Sequence, residues 1–153
     1  MNFKKVLKNG CYLLALKSDT KKDIIEEMVD LLVTAGKIKD RQAVLDAVLE
    51  RERKMSTGMQ HGVAIPHGRM PDLPLPVLAL ARHPQGVDFD SIDGEPVYIA
   101  VMLLVPDSDD RQHLELLAQL ARTLQQESIR DEVMQADSSE AIAALFADRV
   151  RLA

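Results

Sequence analysis

Four histidines and one arginine are the side chains whose positions in this sequence suggest chemistry. Among the histidines, His67 follows an apolar segment at residues 62–65 and stands between Pro66 and Gly68. The proline restricts the direction of the chain, and the glycine leaves space beside the imidazole. A rigid strand end of this kind can present a histidine as a base, a metal ligand or a nucleophile. The same local pattern also fits a turn histidine that has no chemical role.

Two further polar residues fall on otherwise apolar helical stripes. His113 precedes Leu116 and Leu120 at helical spacing, which predicts that it lies on the buried face of a helix. A buried imidazole needs a partner, which is either a functional group or a backbone carbonyl at the edge of the core. Arg51 continues the stripe of Val48, and a guanidinium that faces a sheet needs an anion. The alternative for Arg51 is a side chain that extends past the end of the stripe into water.

The other two histidines are weaker candidates. His83 is followed by Pro84 and is predicted to lie on the surface, in a loop after a strand. His61 lies in a turn flanked by glycines, and a surface position is expected there as well.

Several classes of chemistry lack their motifs in this sequence. Paired cysteines for zinc, the HExxH helix, the phosphate-binding loop of nucleotide triphosphatases, GxGxxG and GxSxG are all missing. Histidine chemistry with an arginine and without a cofactor remains. A metal-dependent hydrolase that uses the histidines is a remote alternative, because no carboxylate is paired with them at ligand spacing.

Composition limits the setting in which this chemistry occurs. The chain has 153 residues and a formal net charge of −5, which suits one domain and argues against a basic surface for nucleic acid. The single cysteine, Cys11, excludes an internal disulfide and suits a reducing compartment. The apolar run at residues 11–16 is too short for a signal peptide, and the run at 97–105 is far below the roughly 20 residues of a membrane helix. We therefore expect a soluble cytoplasmic protein without membrane insertion.

Alternating strand and helix signals predict the elements that must position these residues. Apolar strands are expected at residues 12–16, 62–65, 77–81 and 97–105, with an extended proline-rich connection at 71–76. Thr20 and Asp40 are predicted to cap two helices, of which the first ends near Gly36. Three more helices are expected, one after Ser108 and Asp109 and two near residues 129–134 and 141–146. The pattern predicts a single α/β domain over residues 1–153, with a mixed, mostly parallel sheet and helices on both faces.

Three motifs, read in order, resemble one bacterial family. They are the histidine loop Ser56-Thr57-Gly58 with Gly62-Val63-Ala64-Ile65-Pro66-His67-Gly68, the segment at residues 87–97, and the helix that begins at His113-Leu114-Glu115-Leu116-Leu117. The sequence is similar to the enzyme IIA domain of the phosphoenolpyruvate:sugar phosphotransferase system, in the fructose/mannitol and nitrogen-regulatory class. The resemblance covers most of the chain.

This resemblance implies a role for each candidate. His67 would be the phospho-acceptor through Nε2, His113 the second active-site histidine, and Arg51 the active-site arginine. His113 would donate a hydrogen bond to the phosphoryl oxygens, and Arg51 would offset their charge. Backbone N–H groups at residues 58–62 are further candidate donors. The implied phosphate-binding loop comprises Ser56, Thr57, Gly58 and Gly62.

One departure from the family concerns this loop. Relatives commonly have Gly-Asn where this chain has Gln60-His61, so the loop backbone is expected to differ. Because Gly58 and Gly62 are both present, we expect activity to be retained.

The partners that the resemblance implies are a histidine phosphocarrier protein and either an enzyme IIB or regulatory target proteins. No IIB or IIC domain is recognisable in the chain, and the segment at residues 87–97 favours the nitrogen-regulatory type. A fructose/mannitol-type IIA that passes phosphate to an enzyme IIB for sugar uptake is the alternative.

Overall fold

The computed structural model describes residues 3–107 and 110–149, which form a five-stranded sheet between two layers of helices. The strands are β1 (Cys11–Leu13), β2 (Val63–Ala64), β3 (His67–Met70), β4 (Val77–Val87) and β5 (Val97–Pro106). The helices are α1 (Phe3–Lys8), α2 (Lys21–Thr34), α3 (Arg41–Lys54), α4 (Asp110–Leu124), α5 (Glu127–Gln135) and α6 (Ser139–Arg149), with a short 3₁₀ turn at Gln60–Gly62. Ser108 and Asp109, expected to precede α4, lie outside the described residues.

The sheet is mixed and mostly parallel, as the sequence predicts. Its order is β1-β4-β5-β2, with β3 also on β5. Only β4 and β5 run antiparallel, whereas β1 pairs with β4, and β2 and β3 pair with β5, in parallel. β5 is therefore the central strand, and its residues from Val97 to Val105, other than Tyr98, are buried. This burial explains its continuous apolar run.

Helices cover both faces. α2 and α3 pack on one face through side chains such as Ile24, Met28 and Val48. α4, α5 and α6 pack on the other face through Leu116, Leu120, Val133, Ile142 and Phe146. The predicted caps are confirmed, because Thr20 Oγ1 accepts the Asp23 N–H (3.2 Å) and Asp40 Oδ1 accepts the Ala43 N–H (3.1 Å).

The edge strand that carries His67 differs from its prediction. A strand was expected to end at Pro66, but β2 and β3 keep one register along β5, with Ala64 opposite Ala100 and His67 opposite Leu103. They are thus two halves of an edge strand interrupted at residues 65–66, where a proline lacks the N–H for a ladder bond. His67 opens the second half.

The prediction for His83 was wrong. β4 extends well past residue 81, and His83 lies within it with only 3% of its surface exposed. Pro84 is tolerated because the β4–β5 pairing is irregular between Arg82 and Val87, so no ladder N–H is lost there. The sequence did not predict α1, because the start of the chain is basic. This helix buries Val6 and Leu7 against the core. β1 begins one residue earlier than predicted and ends at Leu13.

No helix in the described ranges is both long and apolar enough to cross a membrane.

Candidate active site

A cavity of about 510 Å³ opens beside β3, between the end of α3, the loop at residues 55–62 and α4. Apolar atoms from Ile65, Ile92 and Leu117 form much of its wall. The polar side chains along it are those of Arg51, Ser56, Thr57, Gln60, His67 and Gln125. The fold therefore brings the predicted histidine, arginine and loop residues to one place.

His67 is held in one neutral form. Its Nδ1 lies 2.8 Å from the carbonyl oxygen of Ile65, and a carbonyl can only accept, so Nδ1 carries the proton. The other nitrogen, Nε2, is then left with its lone pair. Burial lowers the pKa of His67, the Ile65 carbonyl raises it, and the positive charge of Arg51 lowers it. With the pKa below its ordinary value, the imidazole is neutral at neutral pH.

Alternation along β3 directs its residues to opposite helical layers. Gly68 faces α3, where a Cβ atom would lie 3.4 Å from Val48 Cγ2. His67 points to the other layer, where α4 carries His113. Gly68 thus allows α3 to approach the strand closely, instead of clearing space beside the imidazole as the sequence suggested.

His113 is buried as predicted, with 5% of its surface exposed. Its ring stands edge-on to that of His67, with 5.7 Å between the ring centroids and 80° between the planes. The side chains along the cavity do not include His113, so it backs His67 from the α4 side. The two imidazoles are near enough to act on one group.

Of the two arrangements expected for Arg51, the structure shows the side chain that extends past the end of the apolar stripe. It is partly exposed, faces the cavity and donates from Nη1 to the Met55 carbonyl at 2.7 Å, so it is not a cation buried against the sheet. The buried charge at this end of α3 is Glu52, which has 6% of its surface exposed. Glu52 was not singled out from the sequence, although it shares the helical stripe of Leu45 and Val48, the same signal that drew attention to Arg51.

The loop after α3 uses most of its donors internally. The N–H and the hydroxyl of Thr57 donate to the two carboxylate oxygens of Glu52, at 2.8 and 2.6 Å. The Ser56 hydroxyl donates to the Phe89 carbonyl (2.7 Å) and accepts the Gly58 N–H (3.0 Å). The N–H groups of Met59 and His61 bond to Val63 O (2.7 Å) and Asp93 Oδ2 (3.2 Å).

These bonds engage three of the five backbone N–H groups that the sequence offered to an anion, those of residues 58, 59 and 61. The N–H groups of residues 57, 58, 59 and 61 are all engaged within the protein. The candidate donors along the cavity near His67 are Arg51 and the amide side chains of Gln60 and Gln125, and His113 adjoins His67 from α4.

The two glycines of the loop are needed for its shape. A Cβ atom on Gly58 would lie 2.5 Å from Ser91 Oγ, so only glycine allows the loop to contact the segment at residues 88–92. Gly62 has a φ of 75° and packs under Tyr98, outside the cavity wall. His61, with a φ of 67°, is exposed, in agreement with its predicted surface position.

Within residues 3–107 and 110–149, no three histidine, cysteine, aspartate or glutamate side chains are grouped to hold a metal ion. The arrangement instead suits direct nucleophilic chemistry. A neutral imidazole with one fixed tautomer, a neighbouring guanidinium and a second imidazole can accept and stabilise a phosphoryl group.

Known proteins are similar to this chain both in sequence and in fold. Residues 5–149 match the family described as phosphoenolpyruvate-dependent sugar phosphotransferase system, EIIA 2. The fructose-specific EIIA component of Haloferax volcanii is 39% identical over 131 residues, which cover 86% of this chain and 85% of that protein.

Two solved structures extend the comparison. The nitrogen regulatory protein IIA-Ntr of Neisseria meningitidis is 34% identical, has a TM-score of 0.84 and covers 94% of this chain and 97% of its own. The mannitol IIA of Escherichia coli, solved in complex with phosphorylated mannitol IIB, shares the fold with a TM-score of 0.75 at 20% identity, over 93% of this chain and 96% of its own. The chain therefore belongs to the enzyme IIA family of the phosphoenolpyruvate-dependent sugar phosphotransferase system, whose members are phosphotransferase components acting through a phosphohistidine.

Proposed function

We propose that this protein accepts a phosphoryl group on Nε2 of His67 from a phosphohistidine on a small histidine phosphocarrier protein. The observation that carries the proposal is the 2.8 Å bond between Nδ1 and the Ile65 carbonyl. It leaves Nε2 as the nucleophilic nitrogen of a side chain that lines an open cavity.

The transfer itself needs little from the protein beyond position and charge. The lone pair of Nε2 attacks phosphorus, a new N–P bond forms, and the old N–P bond breaks with its electrons staying on the donor imidazole. His67 keeps its proton on Nδ1, so its ring gains positive charge during attack. The Ile65 carbonyl, which accepts that proton's hydrogen bond, stabilises the charged ring.

Arg51 and His113 act on the phosphoryl oxygens in this proposal. The guanidinium of Arg51 lines the cavity and offsets the negative charge of the incoming group. His113 stands edge-on to His67 and donates a hydrogen bond to the same group. Neither role requires the N–H groups of residues 57, 58, 59 and 61, which already have partners.

Exposed apolar side chains near the site support protein partners. Ile92 lines the cavity and is 81% exposed, Met55 accepts the Arg51 bond and is 70% exposed, and Leu114 follows His113 and is 62% exposed. Large exposed apolar side chains near one site are typical of a protein-binding surface. A phosphocarrier and a downstream protein would use this surface in turn.

For the downstream role, we propose regulation of the nitrogen-regulatory type, in which the phosphorylation state of His67 controls binding to target proteins. The structural similarity to the Neisseria meningitidis IIA-Ntr supports this role. The 39% identity to a fructose-specific EIIA component favours a second candidate, transfer to an enzyme IIB for sugar uptake. Mixing the phosphorylated protein with a fructose-class enzyme IIB separates the two, because only the second role predicts rapid loss of phosphate to IIB.

The proposal is tested by intact mass after incubation with phosphoenolpyruvate, enzyme I and the histidine phosphocarrier. We expect one added phosphate that is acid-labile, absent from His67→Ala and present in the matched control His61→Ala. Phosphate retained in His67→Ala, or no phosphate on the wild type with a competent carrier, would contradict the assignment.

A further inference from the structure

Glu52 is a buried carboxylate beside the site, and it has no part in the phosphoryl transfer proposed above. It lies on α3 directly after Arg51, with 6% of its surface exposed. A buried carboxylate destabilises a protein unless it is paired and hydrogen-bonded. A position on the exposed face of α3 would have avoided this loss of stability. The contacts of Glu52 therefore indicate what its buried charge does.

Every contact of the Glu52 carboxylate holds a neighbouring element. Lys21 Nζ, at the start of α2, lies 2.7 Å from Oε1. Thr57 donates its N–H to Oε1 and its hydroxyl to Oε2. Lys21 is itself placed over the Phe89 ring at 4.9 Å and lies 3.6 Å from Asp90 Oδ2. Glu52 thereby joins α2, α3 and the loop that walls the cavity.

A continuous chain of hydrogen bonds runs from Glu52 to His67. The carboxylate accepts the Thr57 N–H, the Thr57 carbonyl accepts the Ile65 N–H at 3.2 Å, and the Ile65 carbonyl accepts Nδ1–H of His67. The link from one bond to the next passes through the backbone of Thr57 and of Ile65, so each bond fixes the position of the residue that makes the next one. The bond that selects the His67 tautomer is thus the last link of a chain that begins at Glu52.

We propose that Glu52 is a positioning residue for phosphoryl transfer: fixed by Lys21, it holds the Thr57 and Ile65 peptides so that His67 presents Nε2 to the cavity. This inference rests on the proposed function of His67. The negative charge of Glu52 also favours the positive charge that the ring gains during attack, and it raises the pKa of His67 against the lowering effect of burial.

Two variants of Glu52 change its charge and its length in turn. Glu52→Gln removes the charge and keeps an acceptor for the Thr57 N–H, whereas Glu52→Asp keeps the charge but is one methylene too short for both Thr57 bonds. Glu50→Gln is the matched control, since Glu50 is an exposed carboxylate of the same helix. Thr57→Val removes only the hydroxyl link and serves as a second variant if Glu52→Gln does not fold.

The first readout is the ionisation and tautomer of His67, measured by ¹⁵N-resolved NMR on the full chain during a pH titration. We expect Glu52→Gln to lower the pKa of His67, Glu52→Asp to leave it near the wild-type value, and both to reduce the share of the Nδ1–H tautomer. Thr57→Val should reduce that share too, while Glu50→Gln should match the wild type. This readout does not require phosphorylation, so it remains valid if the proposed function fails.

The second readout is the rate of phosphate uptake from the phosphocarrier. Misplacing the nucleophile should slow transfer on the order of tenfold to a hundredfold in Glu52→Gln and Glu52→Asp, and less in Thr57→Val. Folded Glu52→Gln or Thr57→Val protein with the tautomer share, His67 pKa and transfer rate of Glu50→Gln would overturn the positioning role. If uptake is absent even in the wild type but the tautomer shifts as expected, the proposed function fails and the positioning of His67 stands.

Discussion

His67 and His83 make the same kind of hydrogen bond, but only His67 is placed where it could react with a partner. Each imidazole has one nitrogen 2.8 Å from a backbone carbonyl, Nδ1 to Ile65 in His67 and Nε2 to Ser18 in His83. His83 is buried inside β4, and its Nδ1 has no hydrogen-bond partner among residues 3–107 and 110–149. His67, in contrast, opens β3 beside a cavity of about 510 Å³. A fixed tautomer therefore does not identify a reactive histidine. What identifies it is a second ring nitrogen that a reacting group can reach.

Replacing His67 should have the largest effect. His67→Ala is expected to abolish phosphate uptake, because no other imidazole combines a fixed tautomer with access to the cavity. His83→Ala should take up phosphate as the wild type does. The measurement is the intact mass of both variants after incubation with the phosphocarrier. Loss of phosphate uptake in a folded His83→Ala protein would contradict the contrast between the two histidines.

His113→Ala should have the next largest effect. The variant loses a donor to the phosphoryl oxygens, which we expect to slow transfer about a hundredfold in both directions while His67 stays the labelled residue. Rapid-quench measurement of uptake and return of phosphate gives the rates. Circular dichroism checks that α4 still folds, and unchanged rates in both directions would remove His113 from the site.

Arg51→Lys should slow transfer less, by about tenfold. The ammonium keeps the charge but loses the planar guanidinium that can contact two phosphoryl oxygens at once. Arg53→Lys is the matched control, because Arg53 is an exposed arginine of the same helical turn. A rate equal to that of the control would reduce Arg51 to a side chain that caps the Met55 carbonyl.

The pH dependence of uptake follows from the lowered pKa of His67. Burial, the largest cause, disfavours the protonated ring, so the reactive neutral form persists below the ordinary histidine range of about 6.5. The rate should be flat above that pH and fall about tenfold for each pH unit below the depressed pKa. The measurement is single-turnover uptake across pH with the phosphocarrier in excess, and a midpoint above the ordinary range would contradict the sign.

His83→Ala should affect stability and leave the chemistry intact. The change leaves the Ser18 carbonyl without its donor and opens a space in the core, which we expect to lower the free energy of unfolding by about 1–3 kcal/mol. Urea denaturation measures the change. No loss of stability would mean that this bond, unlike the one at His67, is dispensable.

Local spacing accounts for the parts of the site that the sequence predicts. The apolar stripe of α4 predicts that His113 lies at the core, as the structure confirms. Pro66 marks a break in the edge strand, but the sequence did not predict that His67 opens a second half of it. Strands β1, β2 and β5, the first half of β4, both predicted caps and the layers on each face of the sheet follow from the same short-range patterns, whereas β3 and the second half of β4 do not.

Contacts between distant segments account for the parts that the sequence does not predict. The stripe of Leu45 and Val48 indicates that Glu52 faces the core. It does not reveal that Lys21 from α2 will pair with the carboxylate, or that Arg51 will lie at the cavity. The irregular pairing of β4 that admits Pro84 and buries His83 likewise depends on β5. The spacing of residues indicates on which face of a helix or strand a side chain lies, but not which residues of other elements pack against that face.

The nitrogen that carries the phosphate is the most direct test of this account. ¹⁵N–³¹P correlation on the phosphorylated protein, labelled at histidine and kept at alkaline pH, assigns both the residue and the atom. The account predicts a single phosphohistidine with phosphorus bonded to Nε2 of His67, and the Nδ1 proton still bonded to the Ile65 carbonyl. Phosphorus on Nδ1 of His67, or on any other histidine, would contradict it.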